Sequence, residues 1–138
     1  MTHQKCQLIG RLGADPEMRV APSGQPVANF PVATRRKFKN GDGQEVNEVT
    51  WFRVSAWGKT GEACSRFLKK GEQVFIEGRL IPDPATGGPR LWTRQDGHPA
   101  ASFEIHADLV RFLGGKYNET NGQAETSAGA TTEKEIPF

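Results

Sequence analysis

The chain has 138 residues, which is enough for one domain with its own core but not for two domains of ordinary size. Sixteen glycines and nine prolines, without a long helical pattern, favour short strands joined by turns over a helical bundle. The formal net charge is +2, and it is unevenly distributed: residues 1–115 carry +4 and residues 116–138 carry −2. A mildly basic body with an acidic end suits a polyanionic partner, although so small an excess does not establish one.

Cysteine usage and hydropathy indicate the compartment. Cys6 and Cys64 form no CxxC pair and have no histidine at ligand spacing, so we expect two reduced, buried thiols and no metal or other cofactor. No apolar run is long enough to span a membrane, and the first residues lack the features of a signal peptide. These patterns predict a cytoplasmic protein.

The first part of the chain is predicted to form two strands separated by turns. Residues Gln4–Leu12 alternate loosely and indicate a first strand, and the Pro- and Gly-containing pieces 13–17 and 21–24 are typical of turns. A second strand is predicted from Gln25 to Thr34. Because Pro31 cannot donate to a ladder, we expect an edge position or a β-bulge there.

A hairpin is predicted from Arg35 to Trp57. The basic run 35–39 leads into a turn at 40–43, where Asn-Gly and Asp-Gly pairs tolerate tight-turn geometry. A third strand returns over residues 48–57.

Alternation along this third strand separates two faces. Phe52 and Val54 lie on an ordinary core face, whereas Trp51, Arg53 and Trp57 share the other, where two indoles flank a guanidinium. Aromatic surfaces stack bases and cations attract phosphates, so the hairpin is typical of a surface that binds single-stranded nucleic acid. Taken alone, it is equally compatible with partly buried tryptophans and a solvated edge strand.

Downstream of the hairpin, the hydrophobic period changes to that of a short helix. We predict the helix over Lys59–Lys70, with Thr60 as N-cap, Gly71 as the left-handed stop, and a buried face. That face consists of Ala63, Cys64, Phe67 and Leu68.

The rest of the body is predicted to contain two more strands. The fourth runs from Gln73 to Leu80, a Pro- and Gly-rich loop occupies 81–90, and residues 91–94 form a short extended piece. The fifth strand covers Ser102–Phe112, and its alternation changes face near Val110.

The strands and helix in this order predict an all-β domain over residues 1–115: a five-stranded OB-fold barrel with one short helix between strands 3 and 4. In that fold the second and third strands form the binding face. Residues 116–138 are too polar to pack and are predicted to be a disordered acidic tail. Its last six residues have the form of a short protein-docking peptide, with a frayed end as the alternative.

Seven motifs in order resemble those of bacterial single-stranded-DNA-binding proteins, and the resemblance covers residues 4–115 and the terminal hexapeptide. The motifs are Ile9–Glu17, Pro22–Gly24, Val27–Phe30, Trp51–Val54, Trp57–Lys59, Leu68–Gly71 and Val74–Leu80. Phe52 departs from the histidine common in that family, and the 81–90 loop is longer than usual.

The resemblance implies a homotetrameric OB-fold protein, paired through its first strand, that is cytoplasmic and nucleoid-associated. It implies base stacking on Phe38, Trp51, Trp57 and Trp92. It also implies recruitment of replication, recombination and repair proteins through a tip formed by Glu133, Glu135, Ile136, Pro137 and Phe138.

Phosphate neutralisation is expected from the cations of the hairpin and its surroundings. The candidates are Arg35, Arg36, Lys37, Lys39, Arg53, Lys59 and Arg79. For Lys59 and Arg79 a solvated role is as compatible with the sequence as phosphate contact.

Two other functional classes are compatible with parts of the sequence. A primosomal or RNA-binding OB module would share the fold and charge, but would have little use for an Ile-Pro-Phe terminus. An enzyme is disfavoured, because Asp15 with Glu17 and His98 with His106 fit neither a metal pair nor a catalytic triad. We therefore predict no catalytic residue.

Overall fold

The structure, a computed structural model, describes residues 1–115; the predicted tail and docking tip lie outside the described residues. The described part contains seven strands and one helix. They are β1 (Cys6–Leu12), β2 (Glu17–Val20), β3 (Pro26–Lys39), β4 (Glu45–Trp57), α1 (Gly58–Phe67), β5 (Gln73–Ile81), β6 (Arg90–Thr93) and β7 (Pro99–Gly114).

Five of the strands close into a barrel. Antiparallel pairing joins β3 to β4, β7 to β5 and β5 to β1, and β4 pairs with β7 in parallel. A short antiparallel contact between β1 and β3, at Arg11 with Ala33 and Leu12 with Val32, completes the ring. The helix α1 lies between β4 and β5, the third and fourth barrel strands. The predicted five-stranded OB-type barrel is therefore confirmed.

Two short strands extend the sheet beyond the barrel. β6 pairs with the first part of β7 and corresponds to the predicted extended piece at 91–94. β2 pairs with β3 and was not predicted, because its four residues are all exposed and are flanked on both sides by turn-forming residues. A strand this short is recognised by its hydrogen-bonded partner rather than by its own sequence.

Pro31 lies where β3 changes partners on one side. β2 pairs with β3 only as far as Asn29, and β1 begins to pair at Val32, so no ladder needs the missing N–H of Pro31. On the other side, the register between β3 and β4 is continuous from Val27 with Trp57 to the hairpin turn. The continuous register excludes the bulge, so side-chain alternation is unbroken along β3. β3 is not an edge strand either, because β4 pairs with it on one side and β2 and β1 on the other; Pro31 lies in the gap between those last two partners.

The helix is shorter than predicted at its C-terminal end. It begins directly after Trp57, which is its N-cap residue without a side-chain hydrogen bond, so Thr60 does not cap it. It ends at Phe67, and Lys69 and Lys70 lie beyond it. Gly71 does have a positive φ of 89°, but it belongs to the turn before β5, where its N–H donates to the Leu12 carbonyl.

The buried stripe of this helical region differs from the predicted one. Gly61, Cys64 and Leu68 are buried, a spacing of three and four residues that turns Phe67 away from the core. Phe67 is 58% exposed, and its ring lies 6.3 Å from that of Phe112. The prediction that Phe67 is a core residue is therefore wrong.

The core fills the barrel with aliphatic side chains and Phe30. Cys64 is fully buried, and burial raises the pKa of its thiol to about 11, so it remains protonated and unreactive at neutral pH. Cys6 is only partly buried, which corrects the expectation of two buried thiols; it is the first residue of β1, and its neighbour Gln7 is exposed.

A β-bulge in β7 changes the face to which the side chains of its second half point. Glu77 of β5 pairs with Leu109 and the next residue, Gly78, pairs with Ala107, which leaves Asp108 as an extra residue. Side chains after the bulge therefore change face, as the break in alternation near the end of β7 predicts. Within residues 1–115, no helix is long and apolar enough to cross a membrane.

Candidate nucleic-acid interface

The register between β3 and β4 decides which side chains share a face. Directly opposed residues of an antiparallel pair point to the same side, and Trp51 opposes Ala33, Arg53 opposes Pro31 and Trp57 opposes Val27. We call the side that carries Trp51, Arg53 and Trp57 the platform. Continuing the alternation along β3 adds the following cations to it: Arg35, Lys37 and Lys39. The opposite face holds Phe52, Val54 and Ala56 and packs on the core, as predicted.

The indole of Trp51 lies against the backbone of Gly13. A Cβ at Gly13 would come within 2.5 Å of Cζ3 and 2.7 Å of Cη2 of that indole, a distance that real contacts do not reach. Trp51 nevertheless remains 50% exposed. The six-membered ring of the indole is thus in contact with the chain after β1, while half of the residue stays open to solvent, so part of the indole is available for stacking.

Trp57 is more enclosed than Trp51. Its ring stacks on the imidazole of His106, with centroids 6.1 Å apart and planes 15° apart. The indole Nε1 is buried without a hydrogen-bond partner among the described residues. A buried donor without a partner costs free energy in the folded protein.

The strand β6 brings Trp92 to the same side of the molecule. Trp92 pairs with Ala100 and Arg90 pairs with Ser102 on β7, while Glu104 of β7 pairs with Arg53 of β4. Alternation along β7 places these side chains on the platform side. The Nε1 of Trp92 donates a hydrogen bond of 2.9 Å to Ser102 Oγ, which fixes the indole while leaving it 43% exposed.

Phe38 lies on the opposite face of the β3–β4 ribbon from Trp51. It pairs with Val46, in the alternation that includes the core residue Val32. The Arg36 guanidinium lies 4.2 Å from the centroid of the Phe38 ring, a cation–π contact. Strand pairing with β1 ends at Ala33, so this part of the hairpin extends beyond the barrel and both of its faces are accessible.

We call residues 34–50, the part of the β3–β4 hairpin that extends beyond the barrel, the hairpin arm. Three of its cations have partners on β4. Arg36 lies 3.7 Å from Glu48, Lys37 lies 2.8 Å from Glu45, and Arg35 Nη2 donates to Asn47 Oδ1 at 3.0 Å. The two ion pairs are exposed and contribute only about 0–1 kcal/mol each. Glu45 and Glu48 nevertheless reduce the positive potential of the hairpin arm, which the basic run on β3 alone does not predict. The hydrogen bond to Asn47 leaves the charge of Arg35 unchanged.

We therefore expect the double variant Glu45→Gln, Glu48→Gln to bind single-stranded nucleic acid more tightly than the parent, by up to about tenfold at low salt, because two carboxylates no longer compete with phosphates. Electrophoretic or fluorescence titration at several salt concentrations measures this. The matched control is Glu62→Gln, Glu72→Gln, which makes the same charge change away from the arm. Equal affinities for the two double variants would contradict the local competition.

The remaining predicted cations differ in position. Arg53 is exposed at the middle of the platform. Arg79 opposes His106, which in turn opposes Ser55, so Arg79 points to the same side two strands from the tryptophans. Lys59 lies in the first turn of α1 and is exposed, with no hydrogen bond or ion pair to the platform among residues 1–115. The structure brings Arg79 to the site and leaves Lys59 at its margin.

Sequence reasoning missed several residues of this surface. Gly13 supports Trp51, His106 supports Trp57, Ser102 holds Trp92, and Glu104 and Arg90 lie beside them. The alternation of β7 would place Ser102, Glu104 and His106 on one side, but only the parallel pairing of β7 with β4 joins that side to the platform. Within the described residues, no group of three or more His, Cys, Asp or Glu side chains is placed to hold a metal ion.

Comparisons with known proteins agree with this geometry. The profile of the Single-strand binding protein family matches residues 3–113. A single-stranded DNA-binding protein of Neisseria meningitidis is 36% identical over 129 residues, 94% of this chain and 70% of the relative. Single-stranded DNA-binding protein 1 of Chlorobaculum tepidum is 53% identical over 113 residues, 81% of this chain and 65% of the relative.

A solved structure is also similar. A crystal structure of a deletion mutant of the single-stranded DNA binding protein from Thermus aquaticus superimposes with a TM-score of 0.62 at 31% sequence identity, covering 80% of this chain and 50% of the Thermus chain. This chain thus spans between 50% and 70% of the lengths of these relatives. On the matched family profile and the identity to these relatives, the chain belongs to the single-strand binding protein family.

Proposed function

We propose that this chain binds single-stranded DNA without marked sequence preference and protects exposed strands during replication, recombination and repair. The observation that carries the proposal is the platform: Trp51, Trp57 and Trp92 lie on one side of the barrel, each held by a different neighbour. Every base has a π-face, so stacking on fixed indoles tolerates any sequence. Members of this family are DNA-binding proteins rather than enzymes, and the proposal assigns no catalytic residue.

The stacking residues on the two faces of the β3–β4 ribbon indicate the path that a bound DNA strand would take. Trp51 and Phe38 lie on opposite faces of the β3–β4 ribbon, so one strand contacts both only by passing around the edge or the tip of the arm. A short oligonucleotide would occupy the platform alone, and a longer one would also reach Phe38 and Arg36. Binding by wrapping rather than by a single groove follows from this placement.

Tryptophan fluorescence tests the proposal directly. Adding oligo-dT of graded length should quench the emission strongly, because bases stack on partly exposed indoles, whereas duplex DNA of equal length should quench it much less. An RNA of the same sequence distinguishes the DNA-binding protein from an RNA-binding OB module. Equal binding of duplex and single strands, or tighter binding of RNA, would reject the proposal.

Oligomeric state and compartment are part of the same proposal. We infer a homotetramer in which β1 pairs between subunits, working in the cytoplasm on the nucleoid; the family resemblance supports this inference. Sedimentation equilibrium at micromolar concentration distinguishes a tetramer from a lone domain. A stable monomer would reject the tetramer.

The tail of the chain carries the second part of the proposal. We infer that residues 116–138 carry a tip, Glu133–Phe138, that docks replication and repair proteins. Phe138 would fill an apolar pocket while neighbouring carboxylates meet basic residues at its rim. Deleting the six tip residues should preserve the fold and DNA binding but abolish capture of known replication and repair enzymes added in purified form. Equal capture by the intact and truncated chains would reject the tip.

A further inference from the structure

A carboxylate lies on the DNA side of the barrel, where a protein that only attracts phosphates would not be expected to have one. Glu104 pairs with Arg53 in the β4–β7 ladder and therefore faces the platform side. Its side chain is only 16% exposed. Its Oε2 lies 3.5 Å from Arg90 Nη1, which is a long contact, and its Oε1 makes no hydrogen bond with residues 1–115.

The carboxylate lines a shallow cavity of about 200 Å³ together with an aromatic wall and two cations. The other lining residues are Arg53, Arg90, Trp92 and Ser102. The hydrogen bond from Trp92 Nε1 to Ser102 Oγ fixes the indole at this cavity. A base that stacks on Trp92 would therefore have a hydrogen-bond acceptor and guanidinium donors beside it.

The charge of Glu104 indicates which part of a bound nucleotide would lie beside it. A carboxylate repels the phosphates of a bound strand, and desolvating it costs free energy unless it meets hydrogen-bond donors. Nucleobases supply such donors on their Watson–Crick edges, which proteins read in unpaired strands. Guanine presents two adjacent donors, N1–H and N2–H, next to the acceptor O6, whereas thymine presents only N3–H between two carbonyl oxygens.

We propose that this cavity is a base subsite that prefers guanine, with the base stacked on Trp92. Glu104 accepts hydrogen bonds from N1–H and N2–H, and a guanidinium of Arg90 or Arg53 donates to O6. This inference rests on the proposed binding of single-stranded DNA and adds to it one position at which the base matters. A second cavity beside Arg53 also carries carboxylates, those of Asp15 and Glu17, but no tryptophan lines it, so the proposal concerns only the cavity at Trp92.

The experiment compares affinities of the full chain for oligo-dT and for the same length with a guanine at every third position, a spacing that avoids guanine runs. The guanine-containing strand should bind about tenfold more tightly, the gain of one bidentate base contact. Replacing guanine with inosine, which lacks N2–H, should remove most of that gain. Replacing it with 7-deazaguanine, which keeps the same edge, should retain it.

Protein variants test the assignment to Glu104. In Glu104→Gln the ratio of the guanine to the thymine affinity should fall to within about twofold of unity, because the amide keeps one acceptor oxygen and its NH2 group would face one of the two guanine donors. The ratio is the readout because a general change in phosphate attraction cancels in it. Glu62→Gln, the same substitution on an exposed position of α1, should keep the full preference.

The outcomes separate the two levels of the proposal. A parent protein that binds oligo-dT but shows no guanine preference overturns the guanine subsite and leaves DNA binding intact. An inosine strand that binds as tightly as the guanine strand also overturns it, whether or not the Glu104 variant folds. Failure of the parent to bind any of the single strands rejects the proposed function itself.

Discussion

Replacing Trp51 with alanine is expected to weaken binding to oligo-dT by about 1–3 kcal/mol, which is the usual contribution of one base stack. Half of the Trp51 side chain is exposed, and its indole is supported from behind by Gly13, so the stacking surface is already in place before DNA arrives. The loss should be similar at low and high salt, because stacking releases no counterions. Equilibrium titration at two salt concentrations measures it.

The control for this prediction is Phe67→Ala. Phe67 is an exposed aromatic residue at the end of α1, packed beside Phe112 rather than on the platform. It should leave DNA affinity unchanged while removing a similar area of exposed apolar surface. If Trp51→Ala folds normally and binds as well as Phe67→Ala, the indole only packs against Gly13 and the platform hypothesis is wrong.

Neutralising Arg35, Arg36 and Lys37 together should have the largest effect on affinity at low salt. If all three contact phosphate, the slope of log affinity against log salt should flatten by about two units, since each contact on a single strand contributes about 0.7. A slope change of that size widens the affinity gap about 100-fold for each tenfold reduction in salt. The variant should therefore bind like the parent near molar salt and far more weakly at low salt.

Two of these three cations are paired with carboxylates in the free protein. Arg36 lies beside Glu48 and Lys37 beside Glu45, and a phosphate that binds either cation must displace its partner. The control variant replaces Arg66, Lys69 and Lys70, which lie in the last turn of α1 and just after it. It removes the same number of positive charges as the arm variant. A slope that responds equally to both triple variants would mean that the arm acts only through net charge.

Several features of this protein were predictable because their causes are local. The hairpin over Arg35–Trp57 follows from a turn-forming segment between two β-prone runs, and the separation of Trp51 from Phe52 follows from strand alternation alone. The change of period after Trp57 predicted a helix between the third and fourth barrel strands. The predicted helix extends too far at its C-terminal end, and its buried residues are Gly61 and Cys64 rather than Phe67.

Other features depend on contacts between distant parts of the chain. The face that carries Phe38 was undetermined until the continuous pairing of β3 with β4 excluded a bulge at Pro31. The partial neutralisation of the basic run depends on which β4 residues lie opposite it. No reading of residues 35–39 alone contains that information.

The class of surface is predictable from local pattern: tryptophans and cations occupy alternate positions of a β-hairpin, because alternation and turn chemistry act within a few residues. The assembly of the surface depends on the folded barrel. Barrel closure places Gly13 behind Trp51, and the parallel pairing of β7 with β4 puts Glu104 and His106 among the platform residues. Pairing between strands about 50 residues apart depends on the packing of the whole core, so a local pattern does not specify which distant side chains become neighbours.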